Sequence, residues 1–163
     1  MEKENVIENI PERDEEFMRA AIEQAKLSAD EGEVPVGAVV VCDNEIIAVG
    51  RNRREGSKNA LAHAEIEAID AACRKKGGWR IFMCDLYVTL EPCPMCAGAI
   101  INARVKRVIY GAKDPKNGAC GSVTNLFELP NSYRPEISGG VLEEECSDLL
   151  SEFFAKLRSA KEK

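Results

Sequence analysis

The spacing of apolar and polar positions changes period several times along this chain, and each change marks an element. Phe17, Ala20, Ala21, Gln24, Ala25, Leu27 and Ser28 recur at helical spacing and stop at Asp30-Glu31-Gly32, which predicts a first helix. After Pro35, the run Val36 to Val41, the turn Cys42-Asp43-Asn44-Glu45 and the run Ile46 to Val49 predict a β-hairpin. Ile66, Ile69, Ala72 and Cys73 give a second helix beginning at His63 and closed by basic residues and Gly77-Gly78. Residues 85–90 read as a strand, Glu91-Pro92-Cys93 turns, and a short helix from Pro94 to Asn102 has proline at its first position. A strand over 105–110, a loop over 111–121, a short helix around 123–129 and a short last strand at Val141-Leu142 follow. Leu149, Leu150, Phe153 and Leu157 mark an amphipathic helix over 143–157. Strands interleaved with helices predict one α/β sheet covered on both faces.

Composition narrows this picture. A chain of 163 residues is room for about one domain, and 45% apolar content supplies it with a core. Residues 1–16 hold seven acidic and two basic side chains, so they are expected to be a solvated, flexible leader to a domain over 17–160. No basic segment leads into an apolar one at the N-terminus, and the uncharged run between Glu33 and Asp43 is half the length of a membrane helix. A cytoplasmic protein without membrane contact is expected. The formal charge of −6 argues at first sight against a polyanionic partner, since phosphate binding leaves a basic footprint.

Seven cysteines and one histidine carry the candidate chemistry. Cys42, Cys73, Cys84 and Cys146 stand singly among apolar or helical neighbours, where free cysteine behaves as a small buried hydrophobe. Cys93 and Cys96 form the one close pair, too little for a disulfide framework. His63 opens one predicted helix, and Cys93 and Cys96 open another. If the two helix starts face each other, three N/S ligands meet, leaving a fourth position for water as in catalytic zinc sites. Glu65, two residues past His63, is then a candidate general acid and base, although an acid at a helix start also complements the helix dipole. Strand, turn, Cys-x-x-Cys and helix also describe a thioredoxin-like dithiol, which has no need of His63-x-Glu65. A non-catalytic zinc-stapled module would need a fourth protein ligand.

His63-Ala64-Glu65 followed by Pro92-Cys93-Pro94-Met95-Cys96 matches the H-x-E and P-C-x-x-C signature of zinc deaminases. From about Phe17 to Arg158 the chain resembles the bacterial tRNA-specific adenosine deaminases, which convert the wobble adenosine of an anticodon to inosine. The similarity runs through Gly32 to Ala38, Gly50-Arg51-Asn52-Arg53, Leu86 to Leu90, Ala97 to Ile100, Gly111 to Asp114, Gly118 to Ser122 and Gly140 to Phe154. The resemblance implies a three-layer α/β/α cytidine-deaminase-like fold with a central five-stranded mixed sheet, acting as a homodimer on the anticodon stem-loop of a tRNA. It implies one zinc per subunit on His63, Cys93 and Cys96, with water attacking C6 of adenine while Glu65 protonates N1 and then the leaving amine. It also implies substrate contacts from Val34, Asn52 and Asp114. The chain departs from the family pattern at Ser132-Tyr133-Arg134, where many relatives have Asn-His-Arg, and at Ala60-Leu61, where Pro-Thr is usual. Tyr133 could stack on a flanking base or pack. Deaminases of free nucleobases or nucleosides share both motifs and are the alternative within the enzyme class.

That substrate class gives the charge a different meaning. Residues 141–163 hold six acidic and four basic groups, which leaves 16 basic and 15 acidic groups between 17 and 140. Arg51, Arg53, Arg54 and Lys58 precede His63, and Lys113 and Lys116 flank Asp114, so a local basic rim is expected at the zinc mouth. Such a rim can steer a polyanion in an acidic protein.

Overall fold

The computed structural model describes residues 12–162. Helix α1 (Glu12–Asp30) leads into a hairpin of β1 (Gly37–Cys42) and β2 (Glu45–Arg51). A single-turn helix α2 (Arg54–Ser57), helix α3 (Ala64–Lys76) and strand β3 (Cys84–Leu90) follow. Helix α4 (Pro94–Ala103) crosses to β4 (Arg107–Ala112); after a 3₁₀ turn (Leu126–Glu128) and β5 (Glu136–Ser138), helix α5 (Glu143–Lys161) ends the described chain. The sheet order is β2-β1-β3-β4-β5, with β1 antiparallel to both neighbours and β3, β4 and β5 parallel.

Alternation along the central strands divides the core in two. Ala38, Val40, Leu86, Val88 and Val108 point to the face covered by α3 and α4, where they meet Ala64, Ala68, Ala97 and Ile100. Val39, Val41, Tyr87 and Ile109 point to the other face and meet Phe17, Met18 and Ala21 of α1 and Cys146 of α5. This is the three-layer α/β/α arrangement with a five-stranded mixed sheet.

Three expectations need correction. Residues 12–16 are not leader: they form the first turns of α1, and the remainder of the expected leader lies outside the described residues. Asp14 explains the difference. Its buried carboxylate accepts from the Tyr87 hydroxyl at 2.5 Å and from Arg107 at 3.0 Å, so an acid that composition assigns to solvent fastens α1 to the sheet. The last strand is Glu136–Ser138, not Val141-Leu142, which form a turn closing on Tyr110 through one hydrogen bond of 3.3 Å. Three residues are too few to display a period. The segment 123–129 forms only a one-turn 3₁₀ helix, over 126–128.

Helix α3 approaches the sheet closely at Gly50. A Cβ there would lie 2.2 Å from the carbonyl oxygen of Ala64 and 2.6 Å from the amide of Ala68, so the first turn of α3 sits directly on the β2 backbone. That seat fixes the height of His63 and Glu65 above the sheet. Gly50→Ala should lower the melting temperature by at least about 3 °C, because overpacking against rigid backbone costs about 1–3 kcal/mol. An unchanged thermal transition would mean that α3 is not held by this contact.

Candidate active site

Strand β3 ends at Leu90, and the chain turns through Glu91 and Pro92 into α4, whose N-cap is Cys93. Helix α3 starts with His63 as its N-cap. Both caps are extended, and neither side chain makes the capping hydrogen bond that a Ser, Thr or Asp in that position would. The imidazole and thiol turn instead toward each other. His63 Nδ1 lies 3.7 Å from Cys93 Sγ and 3.5 Å from Cys96 Sγ, and the three donor atoms all fall within 4.8 Å of one another. A tetrahedral site with metal–sulfur bonds of about 2.3 Å and metal–nitrogen of about 2.0 Å has N···S edges of about 3.5 Å. The donor set therefore fits a metal of zinc's size, and no other His, Cys, Asp and Glu cluster of this kind occurs among the described residues.

The electrostatics follow from the two helix starts. The hydrogen bond from Cys96 holds the Cys93 thiol down at about 4; burial opposes this, and a further bond to His63 assists it. The same bond pushes Cys96 upward, reinforced by burial and by Glu65. His63 is raised, chiefly by its bond to Cys93. Glu65 lies in the first turn of α3, 4% exposed, beside the Cys96 thiol; burial raises its carboxyl above the usual carboxylate range. A buried, raised carboxyl beside a donor set that fits a metal is suited to general acid–base chemistry.

A cleft of about 780 Å³ opens over these groups. Val34, Asn52 and Asp114 all line it, together with His63, Glu65 and Cys93. Two of the three are already engaged. Asn52 donates through Nδ2 to the Val34 carbonyl at 3.1 Å and accepts from the Arg54 amide at 3.2 Å. Asp114 accepts from the amides of Lys116 and Asn117 at 3.0 and 3.1 Å.

The basic rim differs from its expected composition. Arg51 is paired with Glu31 at 2.7 Å and Arg53 with Glu67 at 3.3 Å, and neither Arg53 nor Lys58 reaches the cleft. Arg54, Lys113, Lys116 and Arg158 do. Arg158 and its neighbour Phe154 come from α5, far from the motifs in sequence, and only the fold brings them here. Tyr133 packs: its hydroxyl donates to the Val105 carbonyl at 2.9 Å, and Arg104 lies over its ring.

Sequence reasoning also missed two buried carboxylates. Glu33 accepts from the amides of Glu55 and Gly56 at 3.1 and 2.6 Å and so seats α2, which carries Arg54. Glu91 accepts from the amides of Asp114, Cys120 and Ser122 and from the Ser122 hydroxyl. Burial pushes Glu91 up, but these bonds outweigh it and hold the carboxyl below its usual range. The available signal was an acid placed directly before Pro92-Cys93.

Comparison with known proteins agrees with the geometry. Residues 12–158 match the MafB19-like deaminase family. The chain is 49% identical over 150 residues to the tRNA-specific adenosine deaminase of Bacillus subtilis, covering 91% of this chain and 93% of that one. It is 44% identical over 146 residues to that of Aquifex aeolicus, covering 89% and 96%. The chain belongs to the tRNA-specific adenosine deaminase family. A structure from a study of A-to-I editing by tRNA:A34 deaminases at the wobble position of transfer RNA superposes with a TM-score of 0.80 at 43% identity, covering 83% of this chain and 99% of the other. Guanine deaminase from Bacillus subtilis shares 44% identity but superposes at 0.58, covering 61% and 64%. Family membership and the His63 imidazole between the two thiols set aside the thioredoxin-like alternative.

The low Cys93 value has a direct readout. In metal-stripped protein, alkylation of Cys93 by iodoacetamide should stay nearly constant from pH 5 to 8, because the thiolate persists down to about 4. An ordinary thiol, near 8.5, would lose about tenfold in rate per pH unit over that range. Mass spectrometry of the tryptic peptide checks it, and a rate that climbs tenfold per unit up to pH 8 would contradict it.

Proposed function

We propose that this chain hydrolytically deaminates adenosine to inosine at the wobble position of a tRNA anticodon. The observation that carries the reading is the convergence of His63, Cys93 and Cys96 beside the buried carboxyl of Glu65, in a cleft rimmed by Arg54, Lys113, Lys116 and Arg158. The first three residues would hold one zinc ion per subunit, which supplies a water ionised near neutral pH. Glu65, kept from solvent and raised by burial, would take a proton from the attacking water and deliver it to N1 of the purine. With the water oxygen bonded to C6, Glu65 would then take the proton of that new hydroxyl and carry it to the exocyclic nitrogen; the C6–N bond breaks, so that adenosine plus water give inosine plus ammonia.

Val34 supplies an apolar wall to the base. Asn52 has one amide N–H and one oxygen lone pair free after its two backbone bonds, and these are assigned to the base edge. Asp114 is assigned to the sugar beside it. The rim cations engage flanking phosphates, and a single-stranded anticodon loop extrudes its base at lower cost than a duplex. No described helix is long and apolar enough to cross a membrane, and the cytoplasm, where tRNA resides, is the proposed location. A shallow apolar surface including Leu61, Ile66, Met95, Ala99 and Leu129 supports a homodimer through α3 and α4.

The test uses an anticodon stem-loop with adenosine at the wobble position, with inosine located by sequencing. Conversion at that position alone is expected, and Glu65→Ala should keep the zinc and lower the rate by about 10²–10⁴-fold. Preferential turnover of free guanine or cytosine, or a near-normal Glu65→Ala rate, would overturn the reading.

A further inference from the structure

The loop over 113–122 brings Lys113, Asp114, Lys116 and Asn117 to the cleft, yet it contributes only an isolated bridge, Cys120 to Asn125, to regular structure. A loop of this kind needs an anchor to present side chains at a defined height. Glu91 supplies it. The side chain is 2% exposed, and its carboxylate accepts from Asp114 N at 3.2 Å, Cys120 N at 3.0 Å, Ser122 N at 3.2 Å and the Ser122 hydroxyl. An ionised carboxylate has about four acceptor sites, and here four donors from one loop meet them.

Two further contacts show how tight the seat is. Ala119 N donates to the Pro92 carbonyl at 2.8 Å, so the loop is stitched to consecutive residues of the turn that leads into α4. At Gly118 a Cβ would lie 2.3 Å from Glu91 Oε2 and 2.5 Å from Cδ, so the loop backbone lies flat on the carboxylate only because no side chain intervenes. Glu91 is also two residues from Cys93. One side chain therefore references the substrate side of the cleft to the start of the ligand-bearing helix.

We propose that Glu91 is a positioning residue that sets substrate affinity by fixing the 114–122 loop against the start of α4. The inference rests on the proposed function, since it takes the anticodon loop as the ligand of that cleft. It divides the labour of the site: Glu65 acts on the base, and Glu91 decides whether Asp114 and Lys116 stand where the RNA can use them. Glutamine at 91 keeps the shape but offers one oxygen, and turns an NH₂ group toward backbone donors.

The test compares wild type with Glu91→Gln, Gly118→Ala, their double variant and Ser122→Ala. It reads zinc content, kcat and KM on the wobble-adenosine stem-loop, and amide hydrogen exchange. Glu91→Gln should raise KM by about tenfold or more with kcat nearly preserved, while exchange quickens over 114–122 and not over α4. Gly118→Ala should reproduce this, the double variant should be no worse than either single one, and Ser122→Ala should give a smaller shift in the same direction. Unchanged KM and loop exchange would overturn the proposal, as would zinc loss with α4 loosened as much as the loop. Should Glu91→Gln not fold, unchanged KM in both Gly118→Ala and Ser122→Ala overturns it. A wild type inactive on the stem-loop would instead overturn the proposed function, while loop exchange still reports whether Glu91 is the anchor.

Discussion

Two helices that begin at the same place are the constraint on which the rest of this molecule depends. Helix α3 reaches that place because Gly50 lets its first turn lie on the β2 backbone, and α4 because β3 and β4 are parallel, so the chain must cross from the end of one to the start of the other. Each helix start leaves amide N–H groups unpaired and partially positive. A capping side chain would normally satisfy them. Here the cap positions hold His63 and Cys93, which face a shared centre, and the surplus positive potential favours thiolate and metal-bound anion alike.

Buried acids do the complementary work around that centre. Asp14 ties α1 to Tyr87 and Arg107, Glu33 seats the α2 turn, and Glu91 seats the 114–122 loop. Each collects two or more donors, and bonds to a charged acceptor contribute about 1.5–3 kcal/mol apiece where a neutral pair gives about 1. Part of the chain's acidity is thus internal. The surface presented to a polyanion is more basic at the cleft than the formal charge of −6 suggests.

What could be read from sequence, and what could not, separates along physical lines. His63, Glu65, Cys93 and Cys96 were legible because chemistry fixes both residue type and spacing at helix starts that composition also marks. Helices α1 and α3 were legible because each buries one apolar face, and β1 because it is an apolar run buried on both faces. Residues 12–16 were not, since Asp14 is an acid whose partners, Tyr87 and Arg107, lie 73 and 93 positions away. Strand β5 was too short to show alternation. Arg158 reaches the cleft only through the docking of α5, and Arg53 pairs with Glu67 instead of lining the cleft, a pairing that local sequence does not distinguish from an open rim.

X-ray absorption at the zinc edge, on protein loaded with one equivalent of zinc, tests the convergence most directly. The proposed site predicts two sulfur scatterers at about 2.3 Å and one imidazole nitrogen near 2.0 Å, with a light atom completing four-coordination. A shell of four sulfurs, or one without sulfur, would contradict the pairing of these two helix starts.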